Sequence, residues 1–179
     1  MKRLHNTIFP CLILATAMAL PVAQAQQTPN TPHPCQANPA YRAFDFWVGE
    51  WDVIAGEQQV GTNVISREEG GCLLLEQWTS AQGGTGQSYN FYDPESGLWR
   101  QVWVSQAFII DYSGGLDDNG VMVLEGDAVY HASGERHPFR GRWTPQADGT
   151  VLQELLQKNA ETGEWAPVFV ATYHRKGKG

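Results

Sequence analysis

Cysteine is scarce in this chain of 179 residues, with three in all, and positive charge is short too, 12 Lys and Arg standing against 19 Asp and Glu. An acidic balance of this kind leaves no footprint for nucleic acid or an anionic membrane surface. Long apolar runs are missing as well. The run from Ile8 to Leu20 has 13 residues, too few for a bilayer span, which takes about 20. No Gly-x-Ser-x-Gly, phosphate loop, dinucleotide fingerprint or HExxH spacing occurs, so none of those enzyme classes is signalled. Beyond Gly49 there is no sustained 3.6-residue apolar repeat, which excludes a helical domain from the reading.

At the N-terminus, Lys2 and Arg3, the apolar run and Ala23-Gln24-Ala25 match the three regions of a secretory signal over residues 1–25. Cys11 lies inside the apolar run and not behind small residues at its end, so it does not read as a lipid-attachment site. Removing 25 of 179 residues leaves 154, and losing two positive charges takes the net charge from −7 to −9. That length suits one domain with one core. The expected location is periplasmic or secreted, with no membrane anchor in the mature chain. In an oxidising compartment Cys35 and Cys72 are expected to form a disulfide. It would close a loop of about 38 residues, worth roughly 4 kcal/mol by chain entropy. A redox or metal-binding thiol pair is the rival reading, and no CxxC spacing supports it.

Residues 26–40 hold four prolines among Gln, Asn and Thr, and this composition predicts an extended arm. A single domain is expected over 41–179. It opens with one or two helical turns between Tyr41 and Val48. Ten β-rich segments follow: Trp51–Ala55, Val60–Arg67, Cys72–Thr79, Gly86–Tyr92, Leu98–Ser105, Phe108–Tyr112, Val121–Tyr130, His137–Thr144, Thr150–Lys158 and Trp165–Arg175. The stretches between them are Gly-rich or Asp-Gly turns, which join antiparallel neighbours, whereas parallel strands need long crossovers. A meander of this kind has two exposed edges unless it closes. The expectation is therefore an all-β, antiparallel up-and-down barrel of about ten strands. A Greek-key sandwich is the competitor, and the long connection it needs is absent.

The segment Phe44 to Val53, FDFWVGEWDV, places an aromatic turn with Trp47 just before Gly49 and Trp51. A large indole at the start of the first strand can fill the closed end of a barrel, with Gly49 letting the chain bend inward. Arg175 on the last strand can lie over that ring. In these features the chain resembles the calycin superfamily of lipocalins, fatty-acid-binding proteins and nitrobindin-like barrels. It also resembles an uncharacterised family of exported bacterial proteins with the motifs FDFWxGEWxV, GCxLxE, SxNxYD and GxWxQxWV. Here these stand as Phe44–Val53, Gly71–Glu76, Ser88–Asp93 and Gly97–Val104. The resemblance covers nearly all of the mature chain; it implies a barrel and export, and no activity.

Alternate strand residues face opposite sides, which groups Trp99, Gln101, Trp103 and Ser105, groups Leu74, Glu76 and Trp78, and groups Ser88, Asn90 and Tyr92. A face mixing Trp with Gln suits a ligand cavity with a few placed polar groups, and Gln101 facing solvent is the plainer alternative. An inward Glu76 needs a hydrogen-bonding partner from Asn90, Tyr92, Arg100 or Arg142. The candidate ligand-binding set is thus Glu76, Trp78, Asn90, Tyr92, Arg100, Gln101 and Trp103. No metal site is expected, because His131 and His137 straddle a turn without ligand spacing. The Asp117-Asp118-Asn119-Gly120 run reads as a hairpin turn, since it lacks the spaced ligands of a calcium loop. In nitrobindin-like barrels a late histidine holds haem, which singles out His174 for that cofactor, although an inward His174 conflicts with an inward Arg175. The expected function is binding of a small apolar or amphipathic molecule in the barrel. The alternatives are a cofactor-free enzyme using Glu76 with Tyr92 or Arg100, and a packed structural or partner-binding envelope protein.

Overall fold

The computed structural model describes residues 33–177. The signal segment and the first part of the arm lie outside these residues. Ten strands run in chain order: β1 Gly49–Ala55, β2 Gln58–Glu68, β3 Leu73–Ser80, β4 Thr85–Asp93, β5 Leu98–Ser105, β6 Phe108–Leu116, β7 Met122–Tyr130, β8 Arg136–Pro145, β9 Val151–Lys158 and β10 Trp165–Arg175. Each pairs antiparallel with its neighbour in sequence, and β1 pairs with β10, so the sheet closes into a barrel without an open edge.

Burial alternates along the strands as a period of two requires. In β4, Gly86, Ser88 and Asn90 are buried while Thr85, Gln87 and Tyr89 are exposed. Strand β6 runs four residues past the Tyr112 limit expected from sequence, because Ser113-Gly114-Gly115 continues the ladder. Gly114 is glycine for a packing reason: a Cβ there would strike the backbone carbonyl of Val123 on β7. The turn itself falls at Asp117, whose Oδ1 accepts from the amides of Asn119 and Val121.

Within the described residues, the stretch expected as an extended arm is coiled, forming a helical turn at Pro34–Ala37 and a 3-10 turn at Pro39–Arg42. Proline at the first helical position is compatible with this. The Cys35–Cys72 disulfide then ties the turn to the chain just before β3.

A second 3-10 turn, Asp45–Trp47, caps one end of the barrel. Phe44 and Trp47 are fully buried and stack at 5.0 Å, and Phe44 meets Trp99 and Trp143 edge-on. Asp45 anchors this plug to the wall through Arg67 of β2 at 2.6 Å. Trp51, 0 % exposed, donates its Nε1 hydrogen to the Trp47 carbonyl at 2.9 Å. The Arg175 guanidinium lies 4.3 Å over the Trp51 ring and donates to the Val48 and Phe46 carbonyls. Gly49 is required here, since its φ of +148° disfavours side chains and a Cβ would meet that guanidinium at 2.5 Å. No helix among the described residues is long and apolar enough to cross a membrane.

Two outcomes follow for stability. Arg175→Ala should lower the urea-unfolding free energy by about 1–2 kcal/mol, with Arg175→Lys restoring only part, because an ammonium lacks the fork that spans two carbonyls. Replacing both Cys35 and Cys72 by Ser should cost up to about 4 kcal/mol through the freed loop, read as a lower melting temperature that reductant does not change further.

A polar belt and an aromatic cavity as candidate binding site

The barrel interior has three levels. Nearest the plug, the side chains of Ile65, Leu74, Met122, Leu124, Trp143 and Val151 are packed and buried. Above them lies a belt of polar groups. Beyond the belt, at the end away from the plug, is a cavity of about 400 Å³.

The belt is a continuous run of buried hydrogen bonds linking side chains from seven strands. Tyr112 on β6 donates to Gln101 Oε1, and Gln101 donates to Asn90 Oδ1. Asn90 Nδ2 donates to Ser88 Oγ at 2.8 Å, and Ser88 donates to Glu76 Oε2 at 2.5 Å. From the other side, Asn63 Nδ2 donates to Glu76 Oε1 at 2.7 Å and to the Tyr173 hydroxyl at 3.1 Å, and Tyr173 donates to Gln153 Oε1 at 2.8 Å. Register places these groups together: Leu74 stands opposite Asn90, Asn90 opposite Gln101, and Gln101 opposite Tyr112. Glu76 is thus the acceptor at which the donor chain from Tyr112 ends, and Asn63 donates to its other oxygen while also donating to Tyr173.

Burial pushes the Glu76 carboxyl up to about 7, against the lowering effect of its bonds to Ser88 and Asn63. Burial also holds the Tyr112 and Tyr173 hydroxyls well above their ordinary value, with the Glu76 charge adding to this. Both stay neutral.

Glu76, Gln101, Gln153 and Tyr173 are polar residues of the cavity lining, and the remaining lining is mostly apolar, with Trp78, Trp103, Phe108, Ile110, Leu155 and Phe169 prominent. Two glycines make room for the indoles. A Cβ at Gly61 would collide with the Trp78 ring, and one at Gly86 with the Trp103 ring. Each ring therefore lies against the wall of the adjacent strand and leaves the centre open. The Trp103 Nε1 is buried without an acceptor.

Of the residues expected from sequence, Glu76, Trp78, Gln101 and Trp103 meet at the cavity, and Asn90 sits in the belt beneath it. Tyr92 does not join them. It lies toward the plug, packed edge-on against Tyr41 at 5.0 Å. Arg100 lies on the outer face, where it pairs with Asp111 at 2.7 Å, and Arg142 pairs outside with Glu154 at 3.2 Å. Neither reaches Glu76, because each is offset by one residue from the inward set on its strand. His174 is likewise on the outer face, opposite Asp52 and exposed, while Tyr173 and Arg175 take the inner one. Among the described residues no histidine lines the cavity, so the haem role considered for His174 does not fit this site. His33 approaches Cys72 Sγ at 3.6 Å, but both sulfurs are committed to the disulfide and leave one ligand for a metal.

Asn63, Ser88, Tyr112, Tyr173 and Gln153 are the belt members that sequence reasoning did not select. Strand parity carries the signal for them: Asn63 and Trp51 are opposite, as are Glu76 and Ser88, and Val53 and Tyr173.

The raised carboxyl has a definite pH consequence. Between the unfolded value of 4.5 and about 7 the folded chain holds a proton that the unfolded chain has released, so stability falls as pH rises through this window. Glu76→Gln removes the effect. Relative to wild type, the variant should gain on the order of 3 kcal/mol between pH 4 and pH 8 in denaturant titrations.

No protein-family model matches the chain, and no curated protein matches it either.

Proposed function

We propose that this is an exported, calycin-like binding protein that holds a small apolar or amphipathic molecule above the polar belt. The cavity carries this reading. Its volume of about 400 Å³ lies within the roughly 300–1,000 Å³ of small-molecule sites, and its lining of aromatic and aliphatic groups with a few placed polar atoms is the kind such sites use. A packed structural barrel would leave no such space. The disulfide is in keeping with export, as is the composition of residues 1–25.

A second reading is favoured by one observation, the Glu76 carboxyl held near pH 7 on the cavity floor. A group poised there can take or give a proton to a bound molecule, which makes a cofactor-free acid/base enzyme the alternative. Turnover that survives Glu76→Gln would remove it.

A neutral fluorescent probe such as N-phenyl-1-naphthylamine should bind with enhanced, blue-shifted emission. Leu155→Trp, which puts a larger side chain into the space, should weaken that binding at least tenfold while leaving the melting temperature within a few degrees. Absence of probe binding by the wild-type protein would count against the carrier role.

A further inference from the structure

We infer that the molecule held in the cavity is an amphipathic amine, its ammonium group set against Glu76 and its apolar part against the aromatic wall. This inference rests on the ligand-binding reading and deepens it. Among the described residues that line the cavity, Glu76 is the only charged side chain, with no Lys or Arg beside it. Nearby cations are committed elsewhere. Arg100 and Arg142 pair with carboxylates on the outer face, and Arg175 lies over Trp51 at the plug. His137 has the inward parity of Phe139 on β8 and packs edge-on against Tyr130 of the lining, beside Glu135, without itself lining the cavity.

The neighbours of Glu76 treat it as an anion. Asn63 Nδ2 donates to one oxygen and Ser88 Oγ to the other, an arrangement suited to an ionised carboxylate. Each carboxylate oxygen can accept further bonds, and the group borders the cavity. What the site lacks is positive charge, and a buried carboxylate without a countercharge is costly. A ligand ammonium supplies it. The wall adds to this preference, because Trp78, Trp103, Phe108, Tyr130 and Phe169 present π-faces or edges around the space, and desolvated aromatic faces attract cations. A carboxylate ligand meets the reverse situation, since it would place a second acid beside Glu76 with no basic group to hold it.

Groups that face Glu76 from the packed elements are Asn63 on β2, Ser88 on β4, Gln101 on β5, Tyr112 on β6, Gln153 on β9 and Tyr173 on β10. Only the two tyrosines titrate, and both are held neutral. Amine binding at pH 6 therefore expels the proton that Glu76 holds there, and no other group in the site compensates.

The test compares n-octylamine, 1-octanol and octanoate on the mature protein at pH 6 by calorimetry and by displacement of N-phenyl-1-naphthylamine. Octylamine should bind at least tenfold more tightly than octanol, and octanoate should be the weakest. Heats measured in two buffers of different ionisation enthalpy should give close to one proton released per octylamine bound and none per octanol. Glu76→Gln should cancel the advantage of the amine over the alcohol. The proton count uses wild-type protein, so it stands even where the variant does not fold. Octanol or octanoate binding as well as octylamine, or amine binding without proton release, would overturn the inference and leave the ligand-binding reading in place. Failure of all three ligands and of the naphthylamine probe would overturn both.

Discussion

The indole of Trp51, held between the Arg175 guanidinium and the Trp47 carbonyl, joins the three parts of the chain that must meet for the barrel to exist. It belongs to the first strand, its cation comes from the last, and its acceptor comes from the plug. Closure of β1 on β10 removes the two edges that a ten-strand meander would otherwise expose. That pairing is the most distant in sequence, so it carries the largest loop-closure cost. Concentrating aromatic burial, a cation–π contact and carbonyl hydrogen bonds at this junction offsets the cost where it arises.

With the ends joined there, the interior can be treated unevenly. The plug side is filled by Phe44, Trp47, Trp99, Trp143 and the aliphatic side chains above them. The opposite side is lined and left hollow. Gly61 and Gly86 are central to this division because they let two indoles lie flat against the wall. The polar belt marks the boundary, and its groups are nearly all paired, which limits the cost of burying amides, hydroxyls and a carboxyl at mid-barrel.

Much of this was legible in the chain. Turn chemistry located all ten strands, with β5 and β10 at their observed limits, because short antiparallel connections leave few other arrangements. Gly49, Trp51 and Arg175 identified the closed end, since each has a steric or electronic reason to be where it is. Parity placed Glu76, Trp78, Gln101 and Trp103 on inward faces. Parity alone does not give height along the barrel axis, and so it groups Tyr92, which follows Asn90 on the inward side of β4, with the site although it lies toward the plug. Charge alone suggests Arg100 as a partner for Glu76, against its own outward parity; Asn63 and Ser88 fill that role. The coiling of the segment around Cys35 was hidden because composition reports entropy and not the disulfide that offsets it. In β6 the sequence reading ends at Tyr112, short of Gly114, where close approach of β7 is what demands glycine.

The belt also has a direction. Every donor from Tyr112 inward is aimed at Glu76, and the amide of Asn63 is aimed there as well, leaving its own Oδ1 buried without a donor. A neutral carboxylic acid carries a hydrogen of its own, and the present partners meet it with hydrogens on both sides. A proton taken up at Glu76 can sit on a lone pair that faces the cavity, whereas a half-turn of the Asn63 amide would bring its idle oxygen into position to receive it. The charge of Glu76 and the orientation of the Asn63 amide thus bear on one another at the floor of the cavity, and Asn63 is also the group through which Glu76 reaches Tyr173 on the last strand.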